Sequence, residues 1–382
     1  MKEFIKNSLP VGLIDLVSEI RQKYRRAVIT NPTGLLDPMK GEITFVMIVG
    51  HTFDQKLPNA MMTCRMGYCH GFEAIGIPYI IIDIHQVAEI LPKLSNPVCM
   101  LYAADLVGVS DSLIRSLKKY TTGIWVQPWF KDSMNFFKKN GLDYKIWTFN
   151  DKLTKKILEV EANFGFTATT PSGLHFFNEW DKNGLKMASL PLACDTKMYN
   201  TKKQLFNKEF SNVDLAFVGG YWTSKGVQID DYLRPWESKL IVYGYSKWPY
   251  SGYCGPISCE HELELLHQAK VCPVVNEPTV ALMSGQINER VFKVLGSAGC
   301  PIVDAVPAYR ELYSEDELLV ANNTNDFNNL VQRLLDDKEF NNHYRKKGKE
   351  ATLARHTYSH RAVEFLRLCG IENYSVNSIN IN

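Results

Sequence analysis

The stretch Asp214-Leu-Ala-Phe-Val-Gly-Gly-Tyr-Trp-Thr-Ser-Lys225 decides how this chain is read. Its first half is an apolar run of strand length that stops abruptly at Gly219-Gly220. Paired glycines at a strand exit let backbone amides approach an oxyanion, and the N-terminus of a following helix adds partial positive charge. Lys225 stands where it can complete a diphosphate cradle. A plain tight turn uses two glycines as well, so the pair alone leaves both readings open. The spacing is not Gly-x-x-x-x-Gly-Lys-Ser/Thr, which excludes a P-loop.

Toward the C-terminus, buried-strand runs recur at Leu240–Tyr243, Val271–Val275, Pro301–Val303 and Leu318–Val320. Helical patterns fall between them at Glu260–Gln268, Asn288–Ser297 and Asp326–Leu335. The N-terminal half shows the same alternation, with strands predicted at Ile43–Val49, Pro78–Ile84, Val98–Ala103, Gly123–Gln127, Tyr144–Thr148 and within Lys186–Ala193. Its helices are predicted at Cys64–Ala74, Val87–Lys93, Ser112–Lys119, Ser133–Lys139 and Leu153–Ala162, after an amphipathic lead-in at Leu13–Arg25. Such alternation specifies an α/β fold of two doubly wound parallel sheets. The expected divisions are an N-terminal Rossmann-like unit over 1–195, a polar linker over 196–211, a C-terminal Rossmann-like unit over 212–355, a helix over 356–372, which the resemblance given below implies crosses back to the first unit, and a disordered tail over 373–382. Ligands of such units bind outside the carboxyl ends of the strands, so a cleft between the two sheets is the expected site.

Composition agrees and excludes several classes. A chain of 382 residues exceeds one ordinary core, and 45% hydrophobic against 22% charged residues suits globular packing. Lys and Arg number 43 against 41 Asp and Glu, so a net charge of +2 argues against holding nucleic acid by phosphate neutralisation. The basic run Lys346–Arg355 reads as a solvated helix face. Nine cysteines without a Cys-x-x-Cys pair argue against zinc or redox sites and suit reduced thiols in a cytoplasm. With no apolar stretch near the ~20 residues that span a bilayer, membrane contact is expected to be peripheral at most. The first strand exits into Val49-Gly50-His51-Thr52-Phe53, which lacks the Gly-x-Gly-x-x-Gly of dinucleotide dehydrogenases.

The second informative stretch is Asn288-Glu-Arg-Val-Phe-Lys-Val-Leu-Gly-Ser-Ala-Gly-Cys-Pro-Ile-Val-Asp304, a charged entry into an amphipathic helix followed by a small-residue turn and a strand. Arg290 at the helix start can bring a guanidinium fork and free amides to a phosphate; a surface ion pair is the other fate open to it.

These segments resemble the GT-B glycosyltransferases, specifically the CgeB-type (spore maturation protein) family. The resemblance runs from Leu190-Pro-Leu-Ala-Cys-Asp195 through Phe217-Val-Gly-Gly-Tyr-Trp222, Tyr243-Gly244, Ala269-Lys-Val-Cys272, Asn276-Glu-Pro278 and Asn288-Glu-Arg-Val-Phe292 to His356-Thr-Tyr-Ser-His-Arg361. A fainter one reaches phage DNA β-glucosyltransferases. It implies a nucleoside-diphosphate sugar as donor, with Gly219, Gly220, Tyr221, Trp222 and Lys225 lining the diphosphate and Tyr243 and Gly244 at the next strand exit. It further implies that the loop Gly255-Pro-Ile257 meets the base, that Asn276 and Glu277 face the donor sugar, and that Asn288 and Arg290 open the phosphate-binding helix. Such enzymes commonly carry a ribose-binding Glu three residues after the Arg, where this chain has Lys293. An ammonium only donates hydrogen bonds, so Glu289 is the substitute considered.

No Asp-x-Asp occurs in the chain, so charge neutralisation is expected from Arg290, Lys225 and helix amides, with no metal and no cofactor. A catalytic base is sought at the first unit's strand exits: His51 and Asp54, Asp83 and His85, and Asp105, with caps, turns and structural histidines as the ordinary alternatives. The leading expectation is transfer of a sugar to a glycan, lipid-linked or protein acceptor. The alternatives are a catalytically silent nucleotide-sugar-binding partner, which Lys293 motivates, and a DNA-modifying glucosyltransferase.

Overall fold

A computed structural model describes residues 33–53, 60–128, 135–136, 139, 151–200, 207–283 and 285–376. The helix expected at Leu13–Arg25, the strand at Tyr144–Thr148, most of the helix at Ser133–Lys139 and the end of the tail lie outside the described residues.

The first unit is a six-stranded, wholly parallel sheet of β1 (Thr44–Val49), β2 (Tyr79–Asp83), β3 (Pro97–Tyr102), β4 (Thr121–Trp125), β5 (Phe164–Thr167) and β6 (Met187–Ser189). Its order is β2-β1-β3-β4-β5-β6, with Val46 of β1 beside Ile80 on one side and Cys99 on the other. Every residue of β1 is buried, as a strand covered on both faces requires. Phe45, Met47 and Val49 face one core while Val46 and Ile48 face the other, the period of two written directly into the sequence.

The second sheet holds β7 (Leu215–Val218), β8 (Leu240–Tyr243), β9 (Cys272–Val274), β10 (Pro301–Val303) and β11 (Leu319–Val320). β7 pairs with β8, and β9, β10 and β11 form a second ladder. The ladders join where Ala216 N–H donates to the Val271 carbonyl at 3.0 Å and Val271 N–H to Asp214 at 2.9 Å. The resulting order, β8-β7-β9-β10-β11, places its first strand internally, as in the first unit. Both sheets therefore have a topological switch point beside their first strand, between β1 and β3 and between β7 and β9, the crevice in which open α/β sheets bind ligands.

The main helices are α1 (Ala60–Ala74), α2 (Asp111–Leu117), α3 (Asp151–Glu159), α4 (Thr223–Leu233), α5 (Cys259–Gln268), α6 (Glu289–Gly296), α7 (Thr324–Asp336), α8 (Lys338–Arg355) and α9 (Tyr358–Leu368). The last of them packs on α1 of the first unit. A Cβ on Gly67 would lie 2.2 Å from the Tyr358 ring and one on Gly71 2.4 Å from the Tyr358 carbonyl, so the α1 glycines permit this crossing. Phe365 then meets Phe45, Phe72 and Phe166 edge-on at 5.7–6.1 Å. Buried aromatics of this kind each contribute roughly 1.5–3 kcal/mol. Arg361 is buried and donates from Nε to the Pro191 carbonyl at 2.7 Å, tying α9 to the chain leaving β6.

Among the described residues of the linker expected over 196–211, Asp195 caps a short helix, Thr196–Tyr199, and Tyr199 and Phe210 are buried in the second unit's core. The strand β5 was unexpected, because Phe-Gly-Phe-Thr is short and interrupted by glycine.

Candidate active site

At the first switch point, β1 ends at Val49 and Gly50 turns the chain beneath Asp105, where a Cβ on Gly50 would lie 2.8 Å from the Asp105 Cβ. Asp105 is buried and accepts from Thr52 N–H at 2.9 Å and from Arg65 Nη1 at 3.0 Å. Arg65, fully buried on α1, also donates to the Thr52 hydroxyl and lies over the Tyr102 ring at 5.1 Å. The His51 Nδ1 is 3.6 Å from Asp105 Oδ1, close enough for electrostatic orientation but beyond a hydrogen bond. His51 thus sits with an oriented carboxylate behind it, whereas Asp105 is committed to Arg65.

Asp83 takes the ordinary alternative. It is the N-cap of the turn Ile84–Gln86 and accepts from His85 N–H at 2.9 Å, while Gln86 reaches back to its backbone, a full capping box. It also lies on β2, at the sheet edge and away from the switch point. His85 is exposed, and Asp54 lies outside the described residues.

At the second switch point the Gly-Gly turn is packed closely against its neighbours. Gly219 N–H donates to the Tyr243 carbonyl at 2.9 Å and Tyr221 N–H to Ser246 Oγ at 2.6 Å, so these amides are engaged within the protein. The missing side chains also make room: a Cβ on Gly219 would stand 2.5 Å from Arg290 Nη2, and one on Gly244 2.1 Å from the Gly219 carbonyl. The start of α4 lies beside this turn, and its N-cap, Trp222, supplies no side-chain hydrogen bond to it. Trp222 is 44% exposed, and Lys225 Nζ lies over its ring at 4.5 Å.

Arg290 is buried, not a surface residue. Asn288 caps α6 by accepting from Arg290 N–H at 3.0 Å, and the guanidinium packs on the Phe217 ring at 4.2 Å. Its Nε donates to the Val218 carbonyl at 2.6 Å, while Nη1 is buried without a partner. Burial lowers its affinity for its proton, and no carboxylate lies within ion-pair distance among the described residues. Lys225 is also buried, with Nζ 3.3 Å from Glu277 Oε1. Burial and then the Arg290 charge pull its pKa down to about 8.

Asn276 is fully buried and braces its loop, donating to Asp304 from its backbone at 3.0 Å and to Tyr309 Oη from its amide at 2.9 Å, so it does not present that amide to a sugar. Tyr243 points into the core beside Phe210 rather than into the crevice. Gly255 adopts φ +89°, which its lack of a side chain permits, and Ile257 is half-buried against the same core.

Lys293 is flanked by two buried carboxylates, Glu289 at 3.4 Å and Glu262 at 3.8 Å. Burial alone would lower its pKa, but the two carboxylates outweigh it and hold Lys293 above the ordinary lysine range. Glu289 also accepts from the Thr63 hydroxyl of α1 at 2.9 Å, which joins the first turns of α1 and α6 and brings the two switch-point regions together. Burial raises the Glu289 pKa. Sequence reading missed Arg65, Thr63, Glu262 and the bracing role of Asp304; a lone arginine among the apolar residues of α1 was the one local signal.

Among the described residues, no cluster of His, Cys, Asp or Glu is arranged to hold a metal, and no helix is long and apolar enough to cross a membrane. Residues 228–367 match the family model Glycosyl transferase-like. No curated protein matches the chain in sequence. Solved structures do. Sucrose-phosphate synthase from Thermosynechococcus elongatus superposes with a TM-score of 0.56 at 12% identity, over 85% of this chain and 98% of that one. An alpha-glucosyltransferase in complex with UDP-glucose and abasic-site DNA gives 0.59 at 8% identity, over 86% and 99%. The T4 phage BGT in complex with UDP and Mn2+ gives 0.51 at 10%, over 86% and 97%. The fold is GT-B. The matched domain on that fold agrees with the enzyme class expected from the sequence, a glycosyltransferase.

Proposed function

We propose that the protein transfers a sugar from a nucleoside-diphosphate donor to a hydroxyl of a glycan, lipid-linked or protein acceptor, without a metal, and that it is of the CgeB type. One observation carries the reading: two buried cations, Arg290 and Lys225, stand at the β7/β9 switch point with a guanidinium nitrogen left unpartnered. A buried, unsatisfied cationic donor is costly to maintain, and a diphosphate relieves that cost. The start of α4 adds its partial positive charge.

In this reading the acceptor oxygen attacks the anomeric carbon, the bond from that carbon to the diphosphate oxygen breaks, and the acceptor proton passes to a base. His51 is the base proposed, oriented by Asp105. Arg290 and Lys225 stabilise the charge growing on the departing diphosphate. The network Glu262–Lys293–Glu289 restores carboxylates to the region where Lys293 replaces the expected acid, which supports an active transferase over a silent binding partner.

The test is a thermal-shift series with UDP and GDP in EDTA, with and without Mg²⁺ or Mn²⁺. At ~100 times its dissociation constant a ligand adds about 2.7 kcal/mol to stability. Protection confined to the metal-containing samples overturns the metal-free reading. In the same series His51→Ala keeps donor protection while turnover falls; unchanged turnover removes His51 as base.

A further inference from the structure

The cations at the β7/β9 switch point are unevenly matched in charge. Arg290 and Lys225 are both buried, and a single carboxylate, Glu277, lies within ion-pair distance of either among the described residues, 3.3 Å from Lys225. Glu277 differs from the cations in exposure: its side chain is 36% exposed, against 3% for Lys225. The backbone beneath it is fixed. Asn276 is held to Asp304 and Tyr309, and the Glu277 carbonyl accepts from Val280 N–H at 2.8 Å. A side chain that is open to solvent on a braced backbone can leave its partner without moving the loop.

We propose that Glu277 is the counter-ion of Lys225 before the donor binds and is exchanged for the donor's diphosphate on binding, which frees it for the sugar-facing place that the resemblance implies. The inference rests on the donor reading given above. The exchange follows from charge. A diphosphate carries more negative charge than one carboxylate and can reach both Lys225 and the unpartnered Arg290 Nη1, whereas Glu277 satisfies Lys225 alone. Once the diphosphate is seated, like-charge repulsion at short range drives the carboxylate away from it. The carboxylate then accepts hydrogen bonds from sugar hydroxyls, which a free diphosphate lacks. Until a donor arrives, the Lys225–Glu277 pair competes with any anion for the cradle.

The experiment is calorimetric titration of the full chain and of Glu277→Gln with UDP and with inorganic pyrophosphate, in EDTA at pH 6.5, beside transfer assays. The pair is partly exposed and therefore screened, so the expected gain is modest. Glu277→Gln should bind both probes about three- to tenfold more tightly, yet transfer sugar at least tenfold more slowly. Glu277→Asp keeps the charge and should bind pyrophosphate with near wild-type affinity. Equal or weaker binding by a folded Glu277→Gln protein overturns the counter-ion role, because a Glu277 that merely holds Lys225 in place predicts that loss. Tighter binding with undiminished transfer overturns the released carboxylate's role toward the sugar. If the folded wild-type protein binds neither probe, the donor reading itself falls, and this inference with it.

Discussion

The two switch points are built alike and charged differently. At the β1/β3 exit, Asp105 is met by Arg65 and by Thr52, with His51 alongside, so anion and cation are matched within the protein. At the β7/β9 exit two buried cations share one part-exposed carboxylate, and no carboxylate lies within ion-pair distance of Arg290 among the described residues. An unpartnered nitrogen does not distinguish the exits, since Arg65 Nε and Arg290 Nη1 are both buried without one. Matched buried charge holds a shape, whereas unmatched buried charge calls for a ligand of opposite sign. The first exit therefore reads as a scaffold that aims one histidine, and the second as an anion site.

That contrast is most sharply broken at Asp105. If the pair with Arg65 is structural, Asp105→Asn leaves a fully buried guanidinium uncompensated and should cost about 3–5 kcal/mol of stability by urea denaturation. A variant of wild-type stability would show that the first exit is not held by matched charge.

Arg290 is the mirror experiment, with the effect expected in catalysis. Arg290→Ala should slow transfer by on the order of a hundredfold or more, equivalent to ~2.7–4 kcal/mol at a comparable oxyanion site. It also orphans the Val218 carbonyl, which costs about 1–3 kcal/mol in folding, so melting temperature and rate need to be measured on the same protein. Arg290→Lys should recover only part of the rate, because a point charge does not reproduce a fork. A folded Arg290→Ala enzyme with wild-type turnover would end the anion-site reading.

How much of this was legible in sequence depends on distance along the chain. The exit of β7 was readable because Leu-Ala-Phe-Val runs straight into Gly-Gly, and the start of α6 because Asn288 is a cap two residues before Arg290. What those glycines do was not readable: Gly219 makes room for a guanidinium 71 positions later, a contact that only the packed fold defines. The same limit hid Arg65, whose partner Asp105 is 40 residues away, and Thr63, whose partner Glu289 is 226 away. Asp83 shows the reverse, since its capping role is local and was the ordinary expectation for an aspartate at a strand exit. The strand β5 escaped because a glycine between two phenylalanines weakens the alternation by which a strand is recognised.

The smallest expected effect distinguishes the exits by pH. Lys225 is faced by Arg290 from α6 and by Glu277 from the loop after β9, with the uncharged Trp222 ring over its ammonium. Burial first, and Arg290 second, bring its pKa down to about 8, against ~10.4 for a solvated lysine. A bound diphosphate favours the ammonium and raises that pKa, so above pH 8 binding takes up a proton. UDP affinity should then be level from pH 7 to 8 and weaken above it, by at most about tenfold per unit, while the diphosphate's own ionisation, near pH 6, is complete. Folding has the opposite sign. The unfolded chain keeps this proton to about pH 10.4 and the empty native protein loses it from about 8, so this group adds stability as pH rises through that window. Lys225→Met should abolish the slope and bind UDP more weakly at pH 7. An affinity that stays level to pH 9.5 in the wild-type protein would mean that Lys225 does not meet the diphosphate, leaving Arg290 and the start of α4 as the anion site.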